Sequence, residues 1–345
     1  MNINKKYIMD TMVTLLTTPS PTGDTDAAIA FVDEKFKELG IETKRTVKNA
    51  LIATIPGEDD SKHRLLSAHV DTLGAMVKEI KSSGRLKITQ IGGYAWNSIE
   101  GEYCTISTDD NGEFTGTILL NQASTHVHGG KVGDQKRTGD NIEVRLDEKV
   151  KSKEDVEELG IQVGDFIYLD TRTDVTPSGF VKSRHLDDKA CVACLLGMAE
   201  HLVKNNVTPK YTTHFYISNY EEVGHGSSAA IPEKTFEFLA VDMAAPGDGQ
   251  TSSEYAVTIC AKDSSGPYDL EMKKRLAKLA KANDIDYVID IYPFYGSDAS
   301  AALRAGWEVK HGLIGPGVDA SHSYERLHED SIDATVKLGI LYMTN

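Results

Sequence analysis

The spacing of hydrophobic residues changes character twice along the chain. Residues 4–16 mix polar and apolar at helical spacing, and Pro19 and Pro21 then mark a turn. Across 25–40, Ala28, Ile29, Phe31, Val32, Phe36 and Leu39 fall on one stripe, which predicts an amphipathic helix stopped by Gly40. Residues 49–55 and 64–68 are short apolar runs and predict strands. The second of them ends at His69. An apolar strand whose carboxyl end delivers polar residues is how open α/β sheets present their sites.

From about residue 74 to 179 the period shortens. Segments such as 86–90, 103–107, 115–120 and 166–169 read as strands, and turn clusters such as Asp109-Asp110-Asn111-Gly112 separate them. Only 152–159 suggests a helix. This stretch predicts an all-β unit, a small barrel or sandwich. After Arg184 helices and strands alternate again: helices over 189–204, 269–283 and 297–305, strands over 211–219, 238–241 and 286–291. The pattern therefore predicts a discontinuous α/β domain, residues 1–73 and 178–345, interrupted by a β unit over 74–177.

Composition narrows the function classes. Over 345 residues, 40% are apolar and 26% charged, as expected of a globular protein with a sizeable core. The net charge of −15 argues against nucleic acid and against an anionic membrane surface as partners. No apolar run approaches the length of a membrane span, and the first ten residues hold no signal-peptide core. Four cysteines do not make a disulfide framework for a chain of this size, so a cytoplasmic protein is expected. Cys191 and Cys194 form a C-x-x-C inside an apolar helical run, where packing is the plainer reading than redox chemistry or half a zinc site.

Five short segments carry chemistry: Ala68-His69-Val70-Asp71, His185-Leu186-Asp187-Asp188-Lys189, Tyr220-Glu221-Glu222-Val223-Gly224, Val241-Asp242 and Ser321-His322-Ser323. Imidazole and carboxylate are the ligands of zinc and similar divalent ions. Two neighbouring ions need a bridging carboxylate plus further ligands for each, and two histidines with three carboxylates meet that need. A carboxylate outside the ligand set would then take a proton from water. The pair Glu221-Glu222 suits this division, one ligating while the other faces the water. Singly, each motif has a bland reading: Asp187-Asp188 as a helix cap, Glu221-Glu222 as a solvated face, His322 as a loop residue. Their order and strand-end placement argue for a common site.

With these residues in view, the chain resembles the dinuclear zinc aminopeptidases of metallopeptidase clan MH, family 42, the glutamyl-aminopeptidase, endoglucanase-M-like or tetrahedral (TET) group. The resemblance is carried by His69-Val70-Asp71-Thr72-Leu73-Gly74, Leu186-Asp187-Asp188-Lys189, Glu221-Glu222-Val223-Gly224, Val241-Asp242 and His322-Ser323, with support from 158–165 and from Gly296-Ser297-Asp298-Ala299. It implies a three-layer αβα domain with an inserted barrel-like dimerisation domain. It further implies that Asp187 bridges two divalent ions, most readily Zn²⁺, with Co²⁺ or Mn²⁺ as alternatives. His69 and Asp242 would complete one ion site, and Glu222 and His322 the other. Glu221 would be the general base, and Asp71 would orient His69 through its second ring nitrogen. Peptides would be the substrates, and dimers would build dodecamers.

Thr72 stands where the family commonly has Glu, Lys189 where it has Arg, and Gly224-His225-Gly226 is an unusual continuation. None of these is a ligand in the pattern. His126-x-His128, inside the β unit, has no evident third ligand nearby in sequence. Two further classes share these residues: a deacylase or dipeptidase with the same ligand set, and a non-catalytic assembly protein of the same fold. The endoglucanase label fits poorly, because glycosidases work with two carboxylates and no metal pair.

Overall fold

A computed structural model describes the whole chain, Met1–Asn345. It divides into two compact units: Met1–Thr72 with Arg172–Asn345, and Leu73–Thr171.

The first unit is built on a nine-stranded mixed sheet. Its order is Thr43–Arg45, Leu51–Ile55, Tyr211–Ser218, Asp59–His69, Thr235–Val241, Lys310–Pro316, Val257–Asp263 and Gly266–Pro267, with Tyr287–Ile291 also on Val257–Asp263. Strand Asp59–His69 is central and runs parallel to both neighbours, in register Ser218 with His69 and Ala240 with Ser67. The sheet is covered on both faces, so its strands are apolar on both sides and alternate between two cores. Leu66, Phe215, Ile217, Leu239 and Ile314 face one core, while Leu65, Tyr216, Phe238, Ala240 and Leu313 face the other. The first core is closed by helices Lys5–Thr17, Asp26–Glu38, Leu186–Lys204, Leu270–Ala282 and Glu329–Thr344. Helix Asp298–Arg304 contributes Ala299 and Ala302 to the second. This is the three-layer α/β architecture that the family resemblance implies.

Helix Leu186–Lys204 is buried on nearly every side. Gly197 and Gly339 allow its close crossings, since a β-carbon would lie 2.5 Å from Ile8 Cγ1 at the first and 2.4 Å from Met198 Cε at the second. No helix is long and apolar enough to cross a membrane.

The second unit is a closed six-stranded antiparallel barrel, in the order Gly74–Ile80, Leu86–Ile91, Ile142–Leu146, Glu113–Leu120, Tyr103–Ser107 and Phe166–Leu169. Alternate residues such as Val77, Ile88, Ile106, Ile118, Val144 and Ile167 fill its interior, as expected of a barrel this small. Helix Lys153–Glu158 starts at a capping box in which Ser152 accepts from the Asp155 N–H and Asp155 from the Ser152 N–H.

Candidate active site

Four neighbouring strands end on the same edge of the sheet, and each delivers a polar residue there. Asp59–His69 ends on His69 itself. Tyr211–Ser218 leads to Glu221 and Glu222, Thr235–Val241 to Asp242, and Lys310–Pro316 to the loop bearing His322. Asp187 comes from the start of helix Leu186–Lys204, next to the cis peptide Asp187–Asp188.

Asp187 lies at the centre of the cluster. Its Oδ1 is 3.1 Å from His69 Nε2, and its Oδ2 is 3.2 Å from His322 Nε2. Each histidine thus faces one oxygen of a single carboxylate. Two donor groups result, one of His69, Asp187 and Asp242, the other of Asp187, Glu222 and His322. Within each, the ligand atoms lie within 4.8 Å of one another.

The far side of His69 is fixed by main chain. Its Nδ1 is 2.9 Å from the Asp71 carbonyl oxygen. A carbonyl only accepts, so Nδ1 carries a proton, and Nε2 is the ring nitrogen left to face the cluster. The Asp71 carboxylate is 3.7 Å from Nδ1 and has other work. Its Oδ1 accepts from the Glu221 N–H at 3.1 Å and its Oδ2 from the Glu222 N–H at 3.3 Å and the Thr22 hydroxyl at 2.6 Å. The expected contact of Asp71 with His69 is therefore made by its carbonyl. Its side chain instead orients the Glu221-Glu222 pair.

Electrostatics set these carboxyls apart. Burial, with the charge of Asp187, pushes Asp242 up to about 7. Burial also raises Glu221 and Glu222 well above the usual carboxylate range. For Asp187 burial acts upward too, but hydrogen bonds to His322 and His69 outweigh it and hold the group below its ordinary value. The Glu222 side chain is 3% exposed, and its Oε1 is buried with no hydrogen-bond partner. Orphaned carboxylate oxygens of this kind are rare without a ligand. Buried carboxylates converging with two imidazole nitrogens form a donor set that fits divalent cations.

Glu221 belongs to neither donor group. Its Oε2 is 3.7 Å from His69 Nε2, and its side chain, 17% exposed, borders a cavity of about 630 Å³. The cavity opens from Asp187, Glu222, Asp242 and His322 toward a wall of Met243, Pro246, Tyr292, Phe294 and Arg304. Gln250 and Ser321 also line it. The longest continuous stretch of the lining is 292–297, where strand Tyr287–Ile291 runs out.

The remaining candidates have structural explanations. Cys191 and Cys194 are fully buried free thiols, and burial raises both well above the ordinary cysteine value. Lys189 is buried and donates to the Thr18 carbonyl at 2.6 Å, while burial pulls its ammonium down to about 7. The Thr72 N–H donates to the Ser20 carbonyl at 2.9 Å. His225 is exposed and packs edge-on against Tyr220. His126 is exposed and His128 half-buried on a one-turn helix, and they belong to neither donor group.

Asp298 gives no catalytic signal in the sequence beyond its place in Gly-Ser-Asp-Ala. In the fold its buried carboxylate accepts from the Ser218 hydroxyl at 2.6 Å and the Ser227 N–H at 2.8 Å. It thereby fixes both ends of the segment carrying Glu221 and Glu222.

Comparison with known proteins identifies the family. The profile of the M42 glutamyl aminopeptidases matches residues 49–338. YhfE of Bacillus subtilis (strain 168), provisionally named an aminopeptidase, is 54% identical over 97% of this chain and 96% of its own length. Among solved structures, the TET1 peptidase of Pyrococcus horikoshii superposes with a TM-score of 0.86 at 21% identity, over 98% of this chain and 99% of its own. The TET aminopeptidase of Thaumarchaeota archaeon SCGC AB-539-E09 gives 0.88 at 18% identity, over 98% and 97%. At these identities the structures speak for the fold, while the profile and YhfE speak for descent. The chain belongs to the M42 glutamyl aminopeptidase family and is a peptide hydrolase.

Proposed function

We propose that this peptidase is an aminopeptidase that works with two divalent ions, Zn²⁺ first by ligand type. His69, Asp187 and Asp242 would hold one, and Asp187, Glu222 and His322 the other. The observation that carries this reading is the Asp187 carboxylate, which presents one oxygen to each histidine. Paired divalent ions supply Lewis acidity toward a carbonyl and toward water.

The rest of the reaction falls to the chain's own groups. Glu221 accepts the proton of the attacking water and passes it to the departing amine, a task suited to a carboxylate raised by burial. Asp71 holds the main chain of Glu221 and Glu222, so that one points to the cavity while the other joins the donor group. The cavity wall receives the N-terminal side chain of a peptide.

The experiment is a zinc titration of metal-stripped protein, followed by aminoacyl anilide assays with zinc, cobalt or manganese restored. Two ions per chain are expected. Glu221→Gln is expected to keep both while kcat falls by roughly 10²–10⁴-fold. A Glu221→Gln enzyme of unchanged rate, or cellulose hydrolysis that survives EDTA, would overturn the proposal.

We further assign the barrel unit to self-assembly, supported by the TET1 peptidase of Pyrococcus horikoshii, which assembles into a tetrahedron or an octahedral shell. Light scattering that finds a monomer would reject this. The four buried, free cysteines support a reducing, cytoplasmic location.

A further inference from the structure

The segments bearing Asp187 and His322 are distant in sequence and are brought together by a three-stranded sheet outside the main one. Strand Phe180–Ser183 pairs antiparallel with Glu325–His328, and the ladder ends at the pair Ser183–Glu325. Just beyond that pair, one chain carries Asp187 and the other His322. Arg184 Nη1 donates to the Ser323 carbonyl across the gap at 3.2 Å.

The side chain of Glu325 continues the connection past the end of the ladder. It is buried, with 2% of its surface exposed. Its Oε2 accepts from the Asp187 N–H at 3.1 Å, and its Oε1 accepts from the His322 N–H at 3.1 Å. One carboxylate thus ties together the main chains of two residues of the same donor group.

Placing another buried carboxylate beside Asp187 is electrostatically unfavourable. The residue must therefore supply something a neutral side chain does not. A carboxylate offers two acceptor oxygens on one rigid group. Glutamine would turn an N–H donor toward one of the two amides, and aspartate is a methylene too short to span both. Asp71 acts on Glu221 and Glu222 by the same means.

We infer that Glu325 is a positioning residue for the divalent-cation site, clamping the main chain of Asp187 to that of His322. The inference rests on the two-ion reading above. His69 and Asp242 are fixed by strand ends that Glu325 does not touch, so the clamp acts chiefly on the ion held with Glu222 and His322.

The test is calorimetric zinc titration of the metal-stripped full chain, as wild type, Glu325→Gln and Glu325→Asp. Loss of an outer partner of a metal ligand weakens binding by about 10–100-fold. Glu325→Gln is therefore expected to raise the dissociation constant of one zinc ion by that factor and that of the other, which shares only Asp187 with the clamp, by clearly less. The metal-free protein should melt close to wild type, and anilide hydrolysis should recover when zinc is added in excess. Equal weakening of both ions together with a lower metal-free melting temperature would reassign Glu325 to packing. Unchanged affinities would overturn the inference outright. Should Glu325→Gln not fold, Glu325→Asp, which keeps the charge but spans one amide, must show the same unequal loss. The wild-type titration separates the two readings. Fewer than two ions there rejects the dinuclear proposal, and the Glu325 variants then decide the clamp on the ion that remains.

Discussion

Asp71 divides its labour between its main chain and its side chain. The carbonyl holds Nδ1 of His69, while the carboxylate holds the amides of Glu221 and Glu222. No side-chain substitution removes the carbonyl. Asp71→Asn should therefore retain its metal while losing one of the two amide acceptors. We expect kcat to fall about 10–100-fold at near-normal metal content, measured by anilide turnover and atomic absorption on the same preparation. A matching loss of metal would instead mean that the carboxylate carries His69. The contrast marks what was legible at this scale. His69, Asp187 and Glu222 stand out in the sequence by residue type and by the segments that hold them, while Asp242 and His322 are picked out chiefly by the family resemblance. Glu325 and Asp298 do not stand out, because they act on main-chain N–H groups, and in Asp298 also on a serine hydroxyl, of residues mostly remote in sequence, and no local motif records that.

Elements hold the site by contacts that leave little room. A β-carbon on Gly315 would lie 1.7 Å from the Asp242 carbonyl oxygen, and that atom is main chain with nowhere to move. Gly315→Ala should push the end of strand Thr235–Val241 and displace Asp242, weakening zinc binding without touching a ligand. Calorimetric titration of the variant with unchanged zinc affinities would refute this.

At the opposite end of the strands, Thr54, His214, His63 and Asp60 form one hydrogen-bonded chain with steps of 2.9, 2.8 and 2.9 Å. Burial, then the charge of His63, lowers His214 to about 4. The folded state therefore binds fewer protons than the unfolded one between that value and the ordinary histidine value near 6.5. Stability is complete above about pH 6.5 and declines as pH falls toward about 4. His214→Gln should flatten the fall in melting temperature across that window, whatever its effect at neutral pH. An unchanged slope would show that His214 is not the titrating group.

Element boundaries were partly legible. The central strand reads as 64–68 but extends over Asp59–His69, because its polar first residues take their partners from neighbouring strands and not from a core. Helix Glu329–Thr344 is nearly silent in the sequence, since burial on most sides blurs the amphipathic stripe.

Over the whole molecule the charge of −15 and the buried carboxyl cluster act in the same direction. Both favour cation uptake, and a cation bound only by the folded state stabilises it by mass action. Free zinc at about 100 times its dissociation constant adds about 2.7 kcal/mol per site. Scanning calorimetry should show a higher melting temperature with zinc than with EDTA, and the gap should widen with zinc concentration. A melting temperature indifferent to both would exclude tight metal binding to the folded chain.

The central strand has one more consequence, which concerns how the protein is made. It pairs on both sides with strands that follow it by well over a hundred residues, Tyr211–Ser218 and Thr235–Val241. On the ribosome, His69 therefore emerges long before either neighbour of its strand exists. The barrel, by contrast, is continuous in sequence and has all its strands once residue 171 is out. His322 is the last member of the cluster to be translated. A nascent chain therefore lacks a complete cluster until residue 322 has been made.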